Sequence, residues 1–386
     1  MTFKREKILS PLRKNLARPV HVLQILVGPR QVGKTTAIHQ FLEEWPEPKY
    51  YATADQLTPP DTKWLAETWR QARKLTGKMP LLVIDEIQKV PRWSEAVKML
   101  HDEDIREKRA LRVILLGSSA LLLQRGMQES LAGRFQLIQC PHWSYQERRQ
   151  AFGGSLDQFL FYGGYPGAVP FIDDFVTWKE YIQNSLLETV IGRDIPAVHR
   201  IDQPALFRQT LALVCRHPAE IISLQKLLGQ LQDGGSINTL ANYLDLIAGA
   251  FLVEPIRKYS PRAIRVRTSS PKLISRDNGL ITALRGVPFE ETLRDRPFYG
   301  RLIENAVGAA LINAGETVFY WSERDREVDF IVQRGDDLFA VEVTTGAGHP
   351  TPGLKTFLRR YPTTRPIRIG GANADLSMEQ FLKHGF

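Results

Sequence analysis

Cysteine is scarce in this chain: Cys140 and Cys215 are the only two among 386 residues. They cannot build a disulfide framework and carry no metal-ligand spacing, which excludes small disulfide scaffolds and zinc-finger classes. Long apolar runs are missing as well. No stretch approaches the roughly 18 apolar residues that a membrane helix needs. The opening MTFKREKILSPLRKNLARP has neither an apolar stretch nor a cleavage site of the secretory kind. From these absences we expect a cytoplasmic protein in a reducing compartment, with no membrane partner. Internal repeats and low-complexity tracts are also absent, so neither a solenoid nor a disordered chain is indicated.

What is present has globular proportions, with 43% apolar and 24% charged residues. The length suggests two to four domains. Lys and Arg number 51 against 42 Asp and Glu, a net charge of +9 that favours a polyanionic partner, DNA first among them.

The most specific signal is LQILVGPRQVGKTT, residues 23–36, an apolar strand running into a phosphate-binding loop. Gly28, Gly33, Lys34 and Thr35 fill the pattern GxxxxGK[ST]. Glycines let backbone N–H groups turn inward around an anion, and Lys34 adds a point charge for the β- and γ-phosphates. The Thr35 hydroxyl suits Mg²⁺, and a helix over 35–43, with Thr36 in its first turn, aims its positive end at the phosphates. ATP and Mg²⁺ are the expected cofactors.

A second signal is LLVIDE, residues 81–86. A buried strand that ends in Asp85 brings a carboxylate to the sheet edge, where it can hold the water shell of Mg²⁺. Glu86 points elsewhere and can polarise the attacking water as general base. A fourth strand over 112–116 leads to Gly117-Ser118-Ser119. Ser118 or Ser119 can meet the γ-phosphate or cap the helix that follows.

Strand and helix patterns alternate through 1–150, with a second strand over 49–53 and a possible fifth over 136–139, which argues for a parallel α/β sheet. The expected partition is an ATPase core over 1–150, a helical lid over 151–200, a winged-helix-like part over 201–268 and an α/β domain over 269–386.

In their order, GPRQVGKTT, LLVIDEIQKVPRW, ILLGSSALLL, SLAGRF and GGYPGAV resemble the prokaryotic AAA-family P-loop ATPases that end in a DUF4143 domain. The resemblance implies a homo-oligomer, a ring such as a hexamer, in which an arginine from a neighbouring subunit completes the site. Arg134 in LAGRF matches that arginine; a plain surface arginine in a turn is the other reading. Tyr165 and Pro166 resemble a turn that touches nucleotide from the lid, and an ordinary helix stop has the same sequence.

Two further segments bear on DNA. Residues 223–259 read as helix, Gly-containing turn, helix and apolar strand, an order that looks like a winged helix-turn-helix. Ser236, Asn238, Thr239 and Asn242 on the second helix can hydrogen-bond, yet no Lys or Arg lies between Ser236 and Ile256. Arg257, Lys258, Arg262, Arg265, Arg267 and Lys272 form a basic stripe suited to phosphate contact without base reading, or a solvated loop. Finally Glu304, Asp329 and Glu342 have the order and strand placement of a PD-(D/E)xK nuclease core. The lysine expected two residues after Glu342 is Thr344, so the expectation is a nuclease-like domain that does not cleave. An ATP-switched protein-interaction platform is the alternative function class.

These motifs carry a prediction. Lys34→Ala abolishes tight nucleotide binding, whereas Glu86→Gln binds ATP and turns it over slowly, because it removes only the base. Phosphate release by Glu86→Gln at the wild-type rate would remove Glu86 from its role.

Overall fold

The computed structural model describes residues 3–18, 22–58, 60–117, 131–196, 199–231, 235–260, 269–344, 346 and 351–386. It divides into two compact units, Met1–Pro141 and His142–Phe386.

The first unit is built on a five-stranded sheet. Its strands are β1 (Leu23–Val27), β2 (Lys49–Thr53), β3 (Leu81–Asp85), β4 (Arg112–Gly117) and β5 (Phe135–Gln139), in the order β2-β3-β4-β1-β5. All four pairings are parallel. Every residue of β1, β3 and β4 is buried, which is why these strands read as apolar runs rather than alternating ones. β4 lies between β1 and β3, so the strand that ends in Asp85 is not the immediate neighbour of the strand before the phosphate loop. Helix α1 (Glu6–Leu16) buries Ile8, Leu9, Leu12 and Leu16, a spacing of one apolar helical face. Just before it, the buried Arg5 donates to the carbonyls of Val32 and Pro141, at 3.2 and 3.1 Å, and ties the loop after β1 to the end of the unit. Helices α2 (Lys34–Glu44), α3 (Thr62–Ala72) and α4 (Trp93–Arg106) complete the layers.

The second unit opens with helices and short helical turns through residue 249, then forms a six-stranded mixed sheet. Its strands are β6 (Val253–Lys258), β7 (Lys272–Ser275), β8 (Thr317–Glu323), β9 (Arg326–Arg334), β10 (Asp337–Thr344) and β11 (Arg365–Gly370). The order is β11-β10-β9-β8-β6-β7. The long helix Arg296–Asn313 packs Leu302 and Val307 into a core with Phe330, Val332 and Val341. β6 is no free-standing wing: it pairs antiparallel with β7 and parallel with β8, within the same sheet as β9, β10 and β11.

Two strands of this sheet are invisible to apolar patterning. β7 is only four residues long and begins with Lys272. β11, RPIRIG, carries a proline that a sheet edge tolerates.

Candidate functional site

The loop between β1 and α2 is shaped by close approach and backbone strain. A Cβ at Gly28 would sit 2.0 Å from the Cys140 carbonyl oxygen, so no side chain fits there. Gly33 has φ +86° and Gln31 φ +60°, the left-handed conformations that turn a loop back on itself. The helix begins at Lys34 with no side chain capping it. Its first N–H groups are therefore available to an anion.

Lys34 is buried and its ammonium donates to the carbonyls of Gly28 and Pro29, at 3.0 and 2.6 Å. Burial pushes its pKa below the ordinary lysine value, while Cys140, Glu86 and Asp85 pull the other way. Asp85, at the end of β3, is held on three sides. Its Oδ2 accepts from the Thr35 hydroxyl at 2.9 Å and from the Tyr51 hydroxyl at 3.0 Å, and its Oδ1 from the Glu86 N–H at 2.8 Å. Hydroxyl and carboxylate oxygens in contact at the mouth of a phosphate loop are the hard donors Mg²⁺ takes, so the site fits that ion. Glu86 is half-buried with φ +54°, a left-handed conformation, and Gln88 donates to its carboxylate. The fold thus brings Gly28, Gly33, Lys34, Thr35, Asp85 and Glu86 to one sheet edge. Thr36 follows on α2 with an exposed side chain.

Other expected residues fare differently. Ser118 and Ser119 lie outside the described residues; β4 stops at Gly117, opposite Val27. Arg134 makes a two-pronged pair with Asp102 of its own chain, at 2.7 and 3.1 Å. Tyr165 and Pro166 belong to the second unit. There Tyr165 is buried with its hydroxyl 2.8 Å from His142 Nε2, and Pro166 opens a short helical turn. Their turn is fixed by Asp277, which accepts from the Gly164 and Gly279 N–H groups, at 2.7 and 2.8 Å. Burial pushes this carboxyl up to about 6. Tyr51 was missed by sequence reasoning, because only strand pairing sets β2 beside β3.

The basic stripe separates into parts. Arg257 is exposed and Lys258 half-buried on β6, while Arg262, Arg265 and Arg267 lie outside the described residues. Lys272 is a correction: its side chain has 0% exposure and cannot touch DNA. It sits among carboxylates, 2.5 Å from Glu304, 2.8 Å from Glu327 and 3.9 Å from Asp329. Burial works against its charge, but Glu304, Asp329 and Glu327 outweigh burial and hold its pKa above the ordinary lysine range. One oxygen from each of Glu304, Glu327 and Asp329 lies within 4.8 Å of the others. Glu342, on β10 nearby, is buried, accepts from the Thr351 hydroxyl and is pushed up to about 7 by burial. A positive charge therefore reaches these carboxylates from β7.

At the helix Ile237–Gly249, Ser236 is the cap. Its hydroxyl accepts from the Thr239 N–H at 3.0 Å and lies 2.9 Å from the Thr239 hydroxyl. Two of the four polar groups on that helix are thereby spent on its own start.

A parallel α/β sheet with this loop, hydroxyl and carboxylate defines a P-loop nucleotide-binding protein. Residues 21–148 match the family model of an AAA domain, 153–291 that of a domain of unknown function named DUF8612, and 299–382 that of DUF4143. The chain thus carries a match to an AAA domain in its N-terminal part and to DUF4143 in its C-terminal part. An uncharacterized protein of Mycobacterium tuberculosis is 26% identical over 364 residues, covering 93% of this chain and 77% of that one. Another, from Haemophilus influenzae, is 22% identical and covers 83% and 82%. Among solved structures, a RuvB variant of Thermotoga maritima gives a TM-score of 0.35 at 14% identity, over 67% of this chain and 90% of that one. The Aeropyrum pernix ORC1 protein in complex with DNA gives 0.30 at 13%, over 76% and 95%.

The buried cluster generates a stability prediction. Lys272→Met leaves Glu304, Glu327 and Asp329 without their counter-charge, and we expect a loss of about 3–5 kcal/mol at neutral pH. Chemical denaturation of the full chain measures it; an unchanged midpoint would contradict the pairing.

Proposed function

We propose that this protein is a Mg²⁺-dependent ATPase that acts in the cytoplasm as a homo-oligomeric ring, such as a hexamer, on duplex or branched DNA. The observation that carries the ATPase reading is the meeting of Thr35, Asp85 and Glu86 beside the buried Lys34. In this reading ATP phosphates displace the Gly28 and Pro29 carbonyls from the Lys34 ammonium. Thr35 and Asp85 would hold a Mg²⁺, which would supply positive charge against the charge developing on the phosphates. Glu86 takes the proton of the attacking water as the water oxygen bonds to the γ-phosphorus and the bond from that phosphorus to the β–γ bridging oxygen breaks, with ADP as leaving group. Ser118 or Ser119 orients that water or the phosphate.

Arg134 of a neighbouring subunit stabilises the transition state, after its pair with Asp102 opens. Mixing Arg134→Ala with Lys34→Ala subunits then restores part of the turnover that each variant lacks alone. A mass measurement showing only monomer with ATP at micromolar protein would contradict the ring.

The DNA part rests on the +9 charge and on the stripe from Arg257 to Arg267. The segment over 201–268 serves as a winged-helix-like support, and the nuclease-like domain over 269–386 binds without cutting. One observation favours a second reading of that domain: Lys272 brings an ammonium to Glu304, Glu327 and Asp329, the charge whose absence at Thr344 argued against cleavage.

The test is ATP turnover against single-stranded, duplex and branched DNA, together with binding as a function of salt. We expect DNA to stimulate turnover. Replacing Arg257, Arg262, Arg265 and Arg267 with glutamine weakens binding to all sequences alike and flattens the log-salt slope by about one unit per lost phosphate contact. The same DNA stays intact with Mg²⁺ or Mn²⁺; cleavage that vanishes in Asp329→Ala would establish the second reading. Nucleotide-dependent assembly indifferent to DNA would point to a protein-interaction platform.

A further inference from the structure

Tyr51 belongs to neither phosphate-loop motif, yet its hydroxyl lies 3.0 Å from Asp85 Oδ2, the oxygen that also accepts from Thr35. β2 and β3 pair in parallel register, with Tyr51 opposite Val83 and Thr53 opposite Asp85. The long phenol of Tyr51 therefore reaches a carboxylate two residues beyond its register partner on β3. The ring is also placed from the other side. It packs on His39, one turn beyond Thr35 on α2, with centroids 4.8 Å apart. A single side chain thus spans the helix that follows the phosphate loop and the strand that ends in Asp85.

An aspartate has a broad, roughly two-fold torsion at its carboxylate, so a lone Asp at a strand end does not fix its own oxygens. Here Oδ1 is pinned by the Glu86 N–H, and Oδ2 carries two hydroxyl donors. Tyr51 is half-buried, and its hydroxyl donates to this carboxylate.

We infer that Tyr51 is a positioning residue of the ATPase site, whose hydroxyl holds the Asp85 carboxylate in the orientation that receives a divalent cation. The assignment rests on the nucleotide reading given above. Partners of this kind, which orient a ligand without touching the metal, are worth ~10–100-fold in metal affinity or activity.

The experiment uses the full chain and the fluorescent nucleotide mant-ATP, titrated with Mg²⁺ from an EDTA baseline. Tyr51→Phe keeps the ring against His39 and removes only the hydroxyl. It should bind mant-ATP in EDTA as the wild type does, while the Mg²⁺ concentration that half-saturates the Mg²⁺-dependent signal rises by about 10-fold or more. ATP turnover should fall at limiting Mg²⁺ and recover at high Mg²⁺, with KM for ATP unchanged there. An identical Mg²⁺ midpoint in the two proteins would overturn the assignment. Loss of mant-ATP binding in EDTA would overturn it too, by giving Tyr51 a role in folding the loop. Wild-type protein that binds no nucleotide at all, with or without Mg²⁺, would instead sink the ATPase reading itself.

Discussion

The hydrogen bond from Thr35 to Asp85 is the constraint on which the first unit depends. It joins the start of α2 to the end of β3 across β4, and so fixes the distance between a phosphate loop and a carboxylate. That distance is set by sheet order, not by neighbouring residues in the chain. Parallel strands whose carboxyl ends share one edge put loop, hydroxyl and acid on the same side. The glycine against Cys140, the buried α1 face and the Arg5 contacts to Val32 and Pro141 keep that edge rigid. A polar site built this way needs little side-chain rearrangement to receive a charged ligand.

Buried charge is handled differently in the two units. Lys34 is satisfied by two carbonyls, neutral partners that a phosphate can displace. Lys272 is satisfied by carboxylates, charged partners that hold it firmly. The first arrangement is poised for exchange. The second resists it, because separating an ammonium from carboxylates inside a protein leaves each without compensation. Arg134, paired with Asp102 at the surface, falls between: its side chain is one-third exposed, and water can take over either partner at small cost.

Much of the first unit is legible in the sequence because its evidence is local. A largely apolar five-residue strand, a glycine loop and an acid at a strand end each occupy one short stretch, and the parallel sheet follows from their alternation with helices. The second unit is less legible for a physical reason. Its sheet takes strands from distant segments, including β7, which opens with a lysine, and β11, which carries a proline. Lys272 read as part of an exposed basic stripe because nothing in neighbouring residues reports that Glu304, Glu327 and Asp329 surround it. Tyr51 was illegible for the same reason, since its partner is set by pairing register.

The central claim is that the loop over 28–35, with Asp85, receives a nucleoside triphosphate. Isothermal titration of the full chain with ATP in the presence of Mg²⁺ tests it most directly. The account predicts saturable binding at one site per chain, weakened when EDTA replaces Mg²⁺. Absence of saturable binding by the folded chain would contradict it.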